Sequence, residues 1–83
     1  MTTIAQAVRA ILADTLAVPP TEVTGETPIR SLPNFDSVRI LDVILEIEKR
    51  FDIEMPDEAT FRVTTVLDLE ALVADRLGER AAE

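Results

Sequence analysis

The sequence contains no cysteine and no histidine. The first absence removes disulfides, thiolate metal sites and cysteine nucleophiles. The second removes the commonest general base and the commonest metal ligand. Tryptophan and tyrosine are also missing, and three phenylalanines supply all the aromatic surface. Packing must therefore rest on Leu, Ile and Val, which suit helix-on-helix contacts. Bases are scarce: eight Lys and Arg stand against sixteen Asp and Glu, for a net charge of −8. Residues 1–51 hold seven acids and five bases, and residues 52–83 hold nine acids and three bases. Both portions repel phosphate backbones, and no basic stripe of the kind that binds nucleic acid interrupts them. An acidic surface instead favours encounter with basic patches on partner proteins. No apolar run approaches membrane-spanning length, and the opening "MTTIAQAVRA" lacks the charged-then-apolar order of a signal peptide. A soluble, cytoplasmic protein is expected. Its 83 residues have room for one small domain and a modest core.

What is present is helical periodicity, and no repeat, low-complexity tract or β-alternation competes with it. Thr3 and Gln6 form a capping-box pattern, and Ile4, Val8, Ile11, Leu12 and Leu16 follow at helical spacing. Pro19 drives Val18 out of the α region, so this first helix ends near Leu16 or Ala17. Residues 18–35 then form a long connection with Pro19, Pro20, Gly25, Pro28 and Pro33. Such a loop in so small a domain is expected to be functional or anchored. Val23, Ile29, Leu32 and Phe35 are the anchors, with a helical turn around Thr21–Val23. A second helix is predicted from Ser37 to Phe51, capped by Asp36 and closed by Lys49 and Arg50 at its negative pole. Ile53 and Met55 alternate as extended anchors, and Pro56 opens a short helix through about Phe61. A last helix starts after Thr65, a cap with Asp68 three residues on. Val66, Leu69, Leu72, Val73 and Leu77 form its inner stripe, and Gly78 is its expected stop. The fold class is all-α: a small four-helix bundle of three longer helices and one short one, with a long first loop.

The second helix carries more apolar surface than a core needs. At roughly 100° per residue, Ile40, Val43, Ile44, Ile47 and Phe51 share one arc. Val38, Leu41 and Leu45 lie outside it, at i, i+3 and i+7, and make a second strip. Either the small domain wraps this helix on several sides, or the strip is an exposed docking surface bordered by Asp42, Glu46, Glu48 and Lys49. Ser37 adjoins the strip on the first turn. Taken alone, Asp36-Ser37 reads as an ordinary helix cap. Without histidine, Ser37 has no base to activate it, which excludes a Ser-His-Asp hydrolase. A phosphate esterified to Ser37 would nevertheless sit at the positive end of a helix, where anionic oxygens are favoured.

"FDSVRILDVILEIEKRFDIEMPDE" followed by "VTTVLDLEALV" closely resembles acyl carrier proteins of the phosphopantetheine-dependent type. The family's Asp-Ser-Leu motif stands here as Asp36-Ser37-Val38. Its E-x-x-F-D/G-I-x-I-P pattern runs from Glu48 to Pro56, with Met55 in place of Ile. Its entry to the last helix is Thr64-Thr65-Val66-Leu67-Asp68-Leu69. The tripeptide alone is a weak signal, but the ordered set spans nearly the whole chain. Residues 1–77 are expected to form a single domain, which on this resemblance is a carrier domain, and residues 78–83 a frayed tail. The resemblance implies that Ser37 receives 4'-phosphopantetheine from coenzyme A through a separate Mg²⁺-dependent phosphopantetheinyl transferase. The arm's thiol would hold the cargo as a thioester, so the chain would be a carrier rather than an enzyme. Asp36 would lie near the transferase's metal site. Val38, Leu41 and Leu45 would form the apolar part of partner recognition, with Asp42 and Glu48 as acidic contacts. The cargo would shelter between helices.

The implied partners are the transferase, an acyl- or aminoacyl-loading ligase and downstream synthase or transferase enzymes, meeting a monomer. Asn34-Phe35 stands where fatty-acid carriers usually have Gly-Ala, and Arg39 and Lys49 occupy positions where acids are common. These departures favour a discrete carrier of a specialised pathway over a housekeeping fatty-acid carrier. Two alternatives stay open: a free-standing aminoacyl or peptidyl carrier, and an unmodified helical adaptor that binds through the Val38/Leu41/Leu45 strip.

Overall fold

Thr3 and Gln6 start the first helix as their spacing requires. The Thr3 hydroxyl accepts from the Gln6 N–H at 3.1 Å, and the Gln6 side chain accepts from the Thr3 N–H at 3.0 Å. Helix α1 runs over Ile4–Leu16 and buries Val8, Leu12 and Leu16 completely. It closes on Ala17, held in the left-handed region at φ 56°, with the Val18 N–H donating to the Ala13 carbonyl at 2.9 Å. The computed structural model describes residues 3–81, with side chains through residue 78. Helix α2 spans Ser37–Phe51, α3 spans Asp57–Phe61 and α4 spans Val66–Ala81. Among the described residues there is no strand, and no helix is long and apolar enough to cross a membrane.

Helix α1 packs against both α2 and α4. The shared core holds Val43, Ile44 and Ile47 from α2 and Val66, Leu69 and Val73 from α4. Ile40, Phe51, Leu72 and Leu77 pack half-buried against it. All of these lie on the inner arcs that the sequence predicts. Ile53 and Met55 are buried as extended anchors after α2.

The long connection is tied down along its length. Val23, Ile29 and Leu32 are buried and Phe35 is half-buried. It forms two 3-10 turns, Pro20–Glu22 and Ile29–Ser31; the first is close to the expected turn, and the second was not expected. Its middle pairs with the entry to α4. The Ile29 N–H donates to the Thr64 carbonyl at 2.9 Å, and the Val66 and Leu67 N–H groups donate to the Thr27 and Gly25 carbonyls at 3.0 and 2.9 Å. Backbone pairing between segments this far apart leaves no periodic mark in a sequence.

Helix α4 does not stop at Gly78; it continues to Ala81. A glycine inside a helix costs only about 1 kcal/mol relative to alanine, and here no left-handed cap interrupts the run. The predicted tail therefore begins as helix, and residues 82 and 83 lie outside the described residues.

Candidate functional site

The loop delivers α2 to a fixed place through Asn34. Its backbone is left-handed at φ 64°, and its Nδ2 donates to the Leu16 carbonyl at 2.9 Å. That bond satisfies one of the carbonyls orphaned at the end of α1. It also links the C-terminus of α1 to the residues just ahead of α2. Asp36 follows in extended conformation, and its Oδ1 accepts from the Val38 N–H at 2.8 Å. The cap expected of Asp36 is therefore present.

Ser37 is the first residue of α2 and is exposed. Its hydroxyl engages no hydrogen-bond partner among the described residues. The chain has one other serine, Ser31, whose Oγ donates to the Pro28 carbonyl at 2.8 Å. One hydroxyl is committed to a turn, and the other is free at the positive pole of a 15-residue helix. Ser37 also lines an open groove of about 500 Å³. Helix α2 contributes Ile40, Leu41 and Ile44 to its lining. Asp57, Thr60 and Phe61 of α3, the following Val63, Ile29, Arg30 and Phe35 of the loop, and Leu69 of α4 supply the rest. Most of these side chains are apolar.

The second strip of α2 is solvent-exposed. Val38, Leu41 and Leu45 are 67%, 59% and 52% exposed, so the described residues leave most of that side of the helix uncovered. The same helix has a fully buried Val43 and Ile47 on its other side. Asp42 is exposed beside the strip. Glu48 differs: it is half-buried, and one of its carboxylate oxygens accepts from the Met55 N–H at 3.0 Å. That bond holds the extended segment after α2, leaving Glu48 less free than Asp42 to meet a partner.

Comparison with known proteins agrees with this geometry. A family model described as the phosphopantetheine attachment site matches residues 6–73. The acyl carrier protein of Amoebophilus asiaticus (strain 5a2) is 38% identical over 80 residues, covering 96% of this chain and all of that protein. The chain belongs to the acyl carrier protein family. A second relative, the acyl carrier protein of Rubrobacter xylanophilus, is 40% identical over 63 residues, covering 76% of this chain and 78% of that protein. The chain is thus a phosphopantetheine-bearing carrier, and Ser37, Leu41 and the groove stand together at one end of α2.

Two groove residues carried no functional signal in the sequence. Arg30 sits in a loop, where a single cation has no periodicity to place it. Phe61 reads only as the end of a short helix, yet its ring is 78% exposed at the groove.

Elsewhere, two features of α4 steady this arrangement. Asp68 accepts from the Thr65 and Thr64 N–H groups at 3.1 and 3.2 Å, and the Thr65 hydroxyl accepts from the Asp68 N–H at 3.2 Å. The Thr65 N–H, and after it the Thr64 N–H, hold the Asp68 carboxyl below its ordinary range. Glu70, buried on α4, pairs with the Arg9 Nε at 2.9 Å and joins α4 to α1. Sequence reasoning assigned no role to that pair, because the partners lie 61 residues apart.

Proposed function

We propose that Ser37 is the residue that receives 4'-phosphopantetheine, and that the chain presents acyl intermediates to the enzymes of a specialised biosynthetic pathway. The observation that carries this reading is the free, exposed Ser37 hydroxyl at the head of α2, opening on an apolar groove. Coenzyme A is the donor and a separate phosphopantetheinyl transferase the catalyst. In the transfer, the Ser37 Oγ forms a phosphodiester, 3',5'-ADP leaves and the serine proton passes to a base of the transferase. When bound, the arm supplies the thiol that a cysteine-free chain lacks, and the cargo rides on it as a thioester. No residue of the carrier needs to activate Ser37, which agrees with the absence of histidine.

Each neighbouring residue then has a role. Asp36 fixes the first turn of α2 and lies beside the point where the transferase's metal must act. Val38, Leu41 and Leu45 supply the apolar contact with partner enzymes, and Asp42 the acidic one, with Glu48 contributing from its inward position. The groove between α2 and α3 shelters the acyl chain between visits. The carrier works in the cytoplasm as a monomer, and a loading ligase and downstream synthase or transferase enzymes are its other partners.

Incubation with coenzyme A, Mg²⁺ and a broad-specificity transferase is expected to add the mass of one phosphopantetheine, and Ser37→Ala to abolish the gain. An unchanged mass with several transferases, from a chain with native circular dichroism, would count against the assignment. Mass spectrometry of protein from its host reads the cargo as well: an aminoacyl thioester there would replace the acyl reading with the aminoacyl one.

A further inference from the structure

We infer that Arg30 is a positioning residue for the arm: its guanidinium pairs with the phosphodiester on Ser37 and turns the arm across the groove toward α3. The inference rests on the assignment of Ser37 as the attachment residue. Arg30 and Ser37 line the same groove. Arg30 is exposed and makes no ion pair or side-chain hydrogen bond among the described residues. In a chain with twice as many acids as bases, Arg30 is the one cation among the residues that line the groove beside Ser37. Arg9 is held by Glu70, and Lys49 lies 3.7 Å from Glu46.

The backbone beneath Arg30 is fixed. Its 3-10 turn, Ile29–Ser31, is flanked by buried Ile29 and Leu32, and Ile29 is bonded to Thr64 across to the α4 entry. The guanidinium is therefore presented on a rigid turn rather than a floating loop. Asp57 also lines the groove and is followed by Glu58 in the first turn of α3. Those carboxylates, and the net charge of −8, repel a phosphodiester. Among the groove-lining residues Arg30 is the one cation, and its planar fork suits phosphate oxygens. Arg39, two residues beyond Ser37, carries the same charge but is not among the groove-lining residues, so it serves as the control.

The experiment compares apo and holo forms of the wild-type chain, Arg30→Gln, Arg30→Lys and Arg39→Gln by ¹H–¹⁵N NMR, with loading verified by intact mass. Attachment to the wild type is expected to shift the amides of Asp57, Thr60 and Phe61 as well as those of Val38 and Arg39. Arg30→Gln should reduce the α3 shifts by about two- to fivefold, as loss of an exposed ion pair allows, while leaving the Val38 shift in place. Arg30→Lys should keep most of the α3 shifts and Arg39→Gln all of them. About 0.5 M salt should bring the wild type toward the Arg30→Gln pattern, because exposed pairs are screened. Holo Arg30→Gln with wild-type α3 shifts would overturn the inference, as would equal loss in Arg39→Gln. A wild-type chain that gains no mass would instead overturn the Ser37 assignment, and this inference with it.

Discussion

Replacing Leu45 by alanine separates docking from stability on a single helix. Leu45 is 52% exposed, lies two turns beyond Ser37 and takes no part in lining the groove. Full burial of a leucine is worth about 1.5–3 kcal/mol, so covering the exposed half against a partner contributes about 0.8–1.6 kcal/mol. Loss of that term weakens partner engagement by about 4- to 15-fold. The cost to folding is small, because only half the side chain leaves a packed environment and alanine is the better helix former: about 1 kcal/mol or less. Ile47, two residues on and fully buried, behaves oppositely. Ile47→Ala should cost about 2–5 kcal/mol of stability. Urea unfolding of both variants supplies the stability arm, and kcat/KM of a phosphopantetheinyl transferase at varied carrier concentration supplies the docking arm. If Leu45→Ala lost as much stability as Ile47→Ala and left kcat/KM unchanged, the second strip would be packing surface and its docking role would be wrong.

Three further outcomes test the supports around the site. Arg9→Ala leaves the Glu70 carboxylate buried without its cation; because Arg9 is itself partly exposed, the expected loss is about 1–3 kcal/mol rather than the full value of a buried pair, read by urea unfolding. Ala17 holds a left-handed conformation at φ 56° that glycine adopts without a Cβ clash, so Ala17→Gly should stabilise by about 0.5–1 kcal/mol, and a lower midpoint would contradict this. The lowered pKa of Asp68 means its contribution is complete above the unfolded-state value and is lost as pH falls below about 4. Asp68→Asn should therefore flatten the acid limb of a stability–pH curve, whereas an unaltered limb would place that dependence on other carboxylates.

Much of the fold was legible because it is local and periodic. Thr3 with Gln6 and Thr65 with Asp68 announced two helix starts within four residues, and Asp36 announced a third. The two apolar faces of α2 followed from 3.6-residue spacing, but that spacing could not decide whether the Val38 strip was covered. Only tertiary placement answers that, and it leaves the strip in solvent. What escaped the sequence is non-local: Asn34 capping the end of α1, Gly25 and Thr27 pairing with the α4 entry, and Arg9 meeting Glu70. Gly78 misled because a glycine ends a helix only where the backbone takes the left-handed turn, and nothing local to Gly78 reveals that choice. At the site, Asp36-Ser37 was visible as a motif, whereas the groove needed α2, α3 and the loop to be brought together before Arg30 and Phe61 acquired a place.

Top-down mass spectrometry of the chain isolated from its own cells reads the state of Ser37 itself. A 4'-phosphopantetheine group is expected there, alone or carrying a thioester-linked acyl chain, with Ser31 unmodified. A population in which Ser37 is uniformly bare, or in which the group sits on another hydroxyl, would contradict the assignment of Ser37.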